Sequence, residues 1–151
     1  MAFRTALSAL AALSVTGISH NYDVDAVPDA LGRGQLPALL VLPIDAQAES
    51  MFRERGEGFQ TVAFADGAKT VTYMTNHLLL VAPLTQSKGL SANLPTLITH
   101  IDNYFAALRD DVLLSATLLE PAHVRVEPGI FKHGGVEYVG CAFRHTWLIE
   151  V

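Results

Sequence analysis

Cys141 and His145 are the first residues to weigh for chemistry, because a thiol served by an imidazole base is a nucleophile. Both fall on one face of the C-terminal strand, four residues apart. At about 3.3 Å per strand residue their Cα atoms are roughly 13 Å apart, too far for a hydrogen bond. Cys141 therefore reads as a small core residue. His145, between Phe143 and Trp147, reads as a buried histidine with a hydrogen-bond partner.

The six histidines are His20, His77, His100, His123, His133 and His145. None makes an HxxxH or HExxH pair, and with a single cysteine there is no CxxC, so no local metal site is read and no cofactor is expected. Gly32 and Gly34 flank Arg33 without a GK[ST] sequel, which excludes a P-loop. GxSxG, GxGxxG and DxDxDG are absent as well. Asp110 and Asp111 form a carboxylate pair at a helix C-terminus, where the dipole disfavours them, and read as a solvated chain reversal. The expectation is a protein that is not an enzyme and has no catalytic residues.

The elements that would position these groups follow from periodicity. Phe3, Leu7, Leu10 and Leu13 keep helical spacing, so a first amphipathic helix is expected over 2–14, ended by Thr16-Gly17. Ser8 and Ser14 interrupt its apolar run, which argues against reading it as a secretory leader. A short extended piece at 18–24 and a turn at 27–32 follow. Residues 36–42 form an apolar run with Pro37 near its start and Pro43 just after it, and read as a strand covered on both faces. Residues 44–58 read as a long polar loop containing Met51 and Phe52. Strands are expected at 59–65 and 69–82, joined at Asp66-Gly67. Both faces of the longer strand become apolar at Leu78 and Leu80, and a neighbouring subunit is one possible cover. Leu94, Leu97, Ile98, Ile101, Tyr104, Phe105 and Leu108 mark a second helix, with Asn93 as N-cap and Pro95 in its first turn. A final hairpin turns at His133-Gly134-Gly135, and the odd-numbered residues 139–151 form its core face. The fold class is α+β: one domain over 1–151, a mainly antiparallel sheet with two helices on one face, in the order α-β-β-β-α-β-β.

Composition bounds the rest. Half of the 151 residues are hydrophobic and 17% are charged, so a folded core is expected. One cysteine excludes an intrachain disulfide framework and favours a reducing compartment. No run approaches the roughly 20 apolar residues of a membrane span. The net charge of −5 argues against binding nucleic acid through phosphate neutralisation. Residues 21–66 carry eight acids and three bases, and so hold the whole imbalance. That stretch reads either as solvated loops or as a surface that repels a passing polyanion.

The segments "VPDALGRGQLPALLVLP", "RERGEG", "HLLLVAP", "LPTLITHIDNYFAALRDD" and "GGVEYVGCAFRHTWLIEV", in that order after an Ala/Leu-rich helix, resemble small tail-terminator (tail-completion) proteins of tailed bacteriophages. The resemblance covers most of the chain in pattern and order. It implies a homo-oligomeric ring, typically a hexamer, that caps the last ring of the tail tube protein and stops its polymerisation. The ring would offer a surface to the head-side connector and let DNA pass through its lumen. The location implied is the virion, at the head–tail junction, after assembly in the host cytoplasm. On this reading Met51, Phe52, Arg53 and Arg55 are candidates for contact with an adjacent ring, and Leu78 and Leu80 for contact between subunits. Asp23, Asp25, Asp29, Glu54 and Glu57 are candidates for an acidic lumen. The rivals are another connector or minor tail subunit, and a small enzyme or ligand-binding domain with a cleft at the second helix containing His77 or His100.

Overall fold

A computed structural model describes residues 2–43, 58–84 and 90–151. The chain runs through α1 (Ala2–Ala11), β1 (His20–Tyr22), β2 (Ala38–Leu42), β3 (Gly58–Ala65), β4 (Ala68–Pro83), α2 (Leu90–Asp110), β5 (His123–His133) and β6 (Val136–Glu150), with a short 3-10 turn at Arg33–Gln35. The α+β class holds, and the sheet is antiparallel except where β1 pairs parallel to β2. The one added element is β1, three residues inside the stretch read only as extended.

β4 and β6 are the spine, paired from Thr70↔Glu150 to Pro83↔Tyr138. Their length follows from the alternation in both sequences, which lets each strand bury one face. β5 flanks β6, closed by the two-residue turn Gly134-Gly135, both at positive φ, where glycine carries no Cβ penalty. On the other side β4 carries two strands end to end. Leu42 of β2 lies opposite Asn76, and Gly58 of β3 lies opposite Met74. The chain thus leaves and rejoins the same edge of β4 within two residues.

Both helices cover one face. Ala6, Leu7 and Leu10 of α1 and Leu97 and Tyr104 of α2 pack on Leu39, Val41, Leu79, Val139, Phe143, Trp147 and Ile149. The second face holds a smaller core of Leu40, Leu78, Leu80, Tyr138 and Ala142, beneath Tyr22, Val27, Leu31 and Leu36.

Two helix ends differ from expectation. α1 stops at Ala11 rather than near residue 14, because the Asn21 side-chain amide donates to the carbonyls of Leu10 and Leu13 and caps the helix from β1. α2 begins at Leu90, so Asn93 is inside the helix and Pro95 falls in its second turn. A proline there removes one helical donor, a cost offset by packing further along.

Candidate functional site

Three groups capable of acid–base chemistry, His77, Tyr104 and His145, meet in the interior. Trp147 Nε1–H can only donate, and it does so to His145 Nδ1 at 3.2 Å. That contact puts the His145 proton on Nε2, which donates to the Tyr104 hydroxyl at 2.7 Å. Tyr104 in turn donates to His77 Nδ1 at 2.7 Å. His77 Nε2–H donates to Asn21 Oδ1 at 2.8 Å, and Asn21 passes the chain to the α1 carbonyls. Every hydrogen-bonding group between indole and helix end is used, and every one is neutral. His77, His145 and Tyr104 are all fully buried.

Burial explains the electrostatics. Desolvation holds His145 down to about 3 and His77 well below the ordinary imidazole value, with His145 adding to the effect on His77. Desolvation also raises the Tyr104 hydroxyl well above its usual range. The Cys141 thiol is pushed up to about 12, chiefly by burial, and so is no nucleophile. The hydrogen bonds of His77, Tyr104 and His145 join β4, α2 and β6.

The surface carries the opposite chemistry. Among the large apolar side chains left exposed, three lie on β3: Phe59 (58% exposed), Val62 (41%) and Phe64 (71%). They pair with Tyr73, Val71 and Lys69, alternate residues of β4, and so share the helix-bearing face. A register shift between Phe59 and Thr61 makes this possible, since without it Phe59 would point the other way. Phe59 sits 5.2 Å from the ring of Phe3 and 4.9 Å from that of Tyr73, centroid to centroid.

A second exposed stripe runs along α2: Leu94, Ile98 and Phe105, spaced four and seven residues apart. The seven apolar residues that mark this helix in sequence are not all buried. The sheet covers only part of the arc, chiefly Leu97 and Tyr104, and leaves these three out.

A cavity of about 840 Å³ opens on the sheet face away from the helices, between Val24–Asp29 and the β5–β6 hairpin. Leu42, Leu78, Ile130 and Phe131 line it with Asn76 and Arg144. Arg144 Nε donates to Glu127 at 2.7 Å, and its guanidinium also reaches Asn76 Oδ1 at 3.2 Å. This is not the cleft at α2 that an enzymatic reading expects, and neither His77 nor His100 lines it. Among the described residues no three His, Cys, Asp or Glu side chains gather to hold a metal ion. No described helix is long and apolar enough to cross a membrane.

The residues singled out from sequence fall into three groups. Leu78 and Leu80, expected at a subunit contact, are buried instead under the chain's own Val27, Leu31 and Leu36, because the 22–36 segment folds over that face. Asp23 and Asp25 both pair with Arg4, at 2.9 and 3.0 Å, while Asp29 is exposed at the cavity rim. Burial alone would raise the Asp23 carboxyl, but Arg4, the Val24 N–H and Ser8 together hold it below its ordinary value. Met51, Phe52, Arg53, Glu54, Arg55 and Glu57 lie outside the described residues. The Phe59–Val62–Phe64 stripe was not singled out from sequence, because its 3-then-2 spacing matches neither a plain strand nor a helix.

Comparison with family models, with curated proteins and with solved structures gives no match for this chain.

Proposed function

We propose that this chain is a structural subunit that closes, in identical copies, into a ring of the tail-terminator kind. The ring would be a hexamer seated on the end of a phage tail tube. It would stop tube growth, meet the head-side connector and leave a lumen for DNA. The proposed location is the virion, at the head–tail junction.

The observation that carries the reading is the outer stripe of α2. Leu94, Ile98 and Phe105 are large, apolar and exposed on a helix whose inner side is already packed. A stripe of this kind on a folded domain marks a protein contact, and a heterologous contact that closes makes a ring. The distribution of chemistry agrees: the titratable groups of the interior are sealed and neutral, and shape and apolar surface are what the outside offers. Exposed Asp25 and Asp29 remain candidates for a lumen that DNA passes without adhering.

Native mass is the test. A six-fold mass, or binding to tube ends, supports the ring, and Ile98→Glu is expected to abolish either while leaving the fold intact. A monomer that neither assembles nor binds tube ends, and is indifferent to Ile98→Glu, counts against it. Position in an assembled particle separates a terminator from another connector or minor tail subunit. The ligand-binding alternative has one observation of its own, the 840 Å³ cavity. Saturable uptake of a small molecule there by a stable monomer would favour that alternative.

A further inference from the structure

Among the described residues the sheet has two long edges with no neighbouring strand, and they are built differently. On β5 the residues that point their backbone groups away from β6 alternate from Lys132 to Val124, counted back from the closing pair His133↔Val136. Pro128 occupies one of these outward positions, opposite Cys141, so the edge lacks a donor at its middle. Arg125 and Lys132 add charge, and both side chains of such an edge discourage pairing. β3 has none of these devices. Its sequence, GFQTVAFA, contains no proline and no charge. From the closing pair Ala65↔Ala68, the backbone groups of Ala63 and Ala65 face β4, and those of Val62 and Phe64 face outward. Among the described residues no hydrogen-bond partner meets them on that side.

We propose that the β3 edge pairs with β3 of a second copy, antiparallel about a two-fold axis midway between the two Ala63 residues. The arrangement is self-complementary. Val62 N–H donates to Phe64 C=O of the second copy, Phe64 N–H donates to its Val62 C=O, and the axis repeats both bonds, four in all. Phe64 then lies across from Val62 of the other copy on the helix-bearing face, and the small Ala63 residues meet on the opposite face. An apolar side-chain surface set against β3 would leave these backbone groups buried without partners, a cost that a strand avoids.

The size is adequate for a modest dimer. From their exposures, Phe59, Val62 and Phe64 offer roughly 300 Å² of apolar surface per copy. Interfaces are about 60% apolar, so the pair corresponds to about 1,000 Å² of total buried surface. That is the lower bound for a specific contact. This two-fold contact is independent of the ring reading, because a closed six-fold ring joins unlike surfaces and contains no such axis within it.

The test compares the native mass of the wild-type chain with that of Phe64→Lys, a substitution at an exposed side chain that leaves the β4 ladder intact. Pairing predicts that the variant has half the wild-type mass, whether the change is from dimer to monomer or from a double ring to a single one. Equal masses overturn the pairing, and an equal six-fold mass overturns it while leaving the ring reading in place. A two-fold mass that halves supports the pairing and counts against the ring. Amide hydrogen exchange of the wild-type chain is the second readout. Val62 and Phe64 N–H should be protected at high concentration and lose at least tenfold of that protection on dilution; rapid exchange at every concentration overturns the pairing.

Discussion

The hydroxyl of Tyr104 and Nε2 of His145 meet 2.7 Å apart at the centre of the molecule, and the direction of that bond is set two residues away. Trp147 has no acceptor to offer, so His145 must accept on Nδ1 and donate on Nε2. The polarity then runs unbroken through Tyr104 and His77 to Asn21, tying β6, α2, β4 and β1 to the C-terminal end of α1. Tyr104→Phe keeps the ring, which stacks on Phe143 at 3.7 Å between centroids, and deletes only the hydroxyl. It leaves a donor on His145 and an acceptor on His77 unmatched in the core. The expected loss is about 2–5 kcal/mol of stability, read from the denaturant midpoint. A loss under about 0.5 kcal/mol would mean the chain contributes little.

The same chain makes the protein acid-sensitive. In the folded state His145 is held down to about 3 and His77 is also held low, whereas in the unfolded chain both take up a proton near 6.5. The unfolded state therefore binds more protons, and stability falls as pH falls. The contribution is fully present above about pH 6.5 and declines below it, by about 1.4 kcal/mol per pH unit for each histidine. For His145 the decline stops near pH 3. Denaturant titrations between pH 7 and 4.5 should show a steady drop in midpoint, with close to two of the protons taken up on unfolding at pH 5 coming from His77 and His145. His145→Gln should flatten the slope by about one proton.

What the sequence made legible was periodic. The alternation along 136–151 identified the buried face of β6 from Val139 to Ile149, and Asp66-Gly67 and Gly134-Gly135 located the two hairpin turns. What it did not reveal depends on distant segments. Asn21 ends α1 from another strand, which no local rule for helix ends contains. The cover over Leu78 and Leu80 could not be assigned between a neighbouring subunit and the chain itself, because 22–36 is largely irregular chain with no period to read. The apolar arc of α2 was legible as an arc, but how much of it the sheet would cover was not. Phe59, Val62 and Phe64 share a face only because of a bulge, and periodicity is blind to bulges.

Cys141 offers a direct check on the interior. A thiol pushed up to about 12 carries almost no thiolate at pH 8, and it is fully buried among Val139, Phe143 and Leu79. A disulfide reagent should modify it at least a hundredfold more slowly in the native protein than in denaturant. Modification at the rate of a free thiol in the native state would contradict the packing around β6.

The β5–β6 hairpin provides a matched pair of substitutions. Gly134 and Gly135 both have positive φ, at 58° and 79°, so alanine at either pays a left-handed backbone cost of about 1 kcal/mol. Their surroundings differ. A Cβ on Gly134 would run into the Asp29 carbonyl oxygen, whereas one on Gly135 meets nothing within 4 Å. The close approach is held from the next residue, since His133 Nε2 donates to the Pro28 carbonyl at 2.7 Å. This seam between the hairpin tip and the 28–29 turn closes one side of the cavity on the second face. Gly134→Ala should therefore destabilise the protein by about 1–3 kcal/mol more than Gly135→Ala, the usual cost of forcing extra volume into a packed contact. Thermal midpoints of the two variants measured side by side give the difference directly. Equal midpoints would mean that the hairpin tip does not dock on the turn.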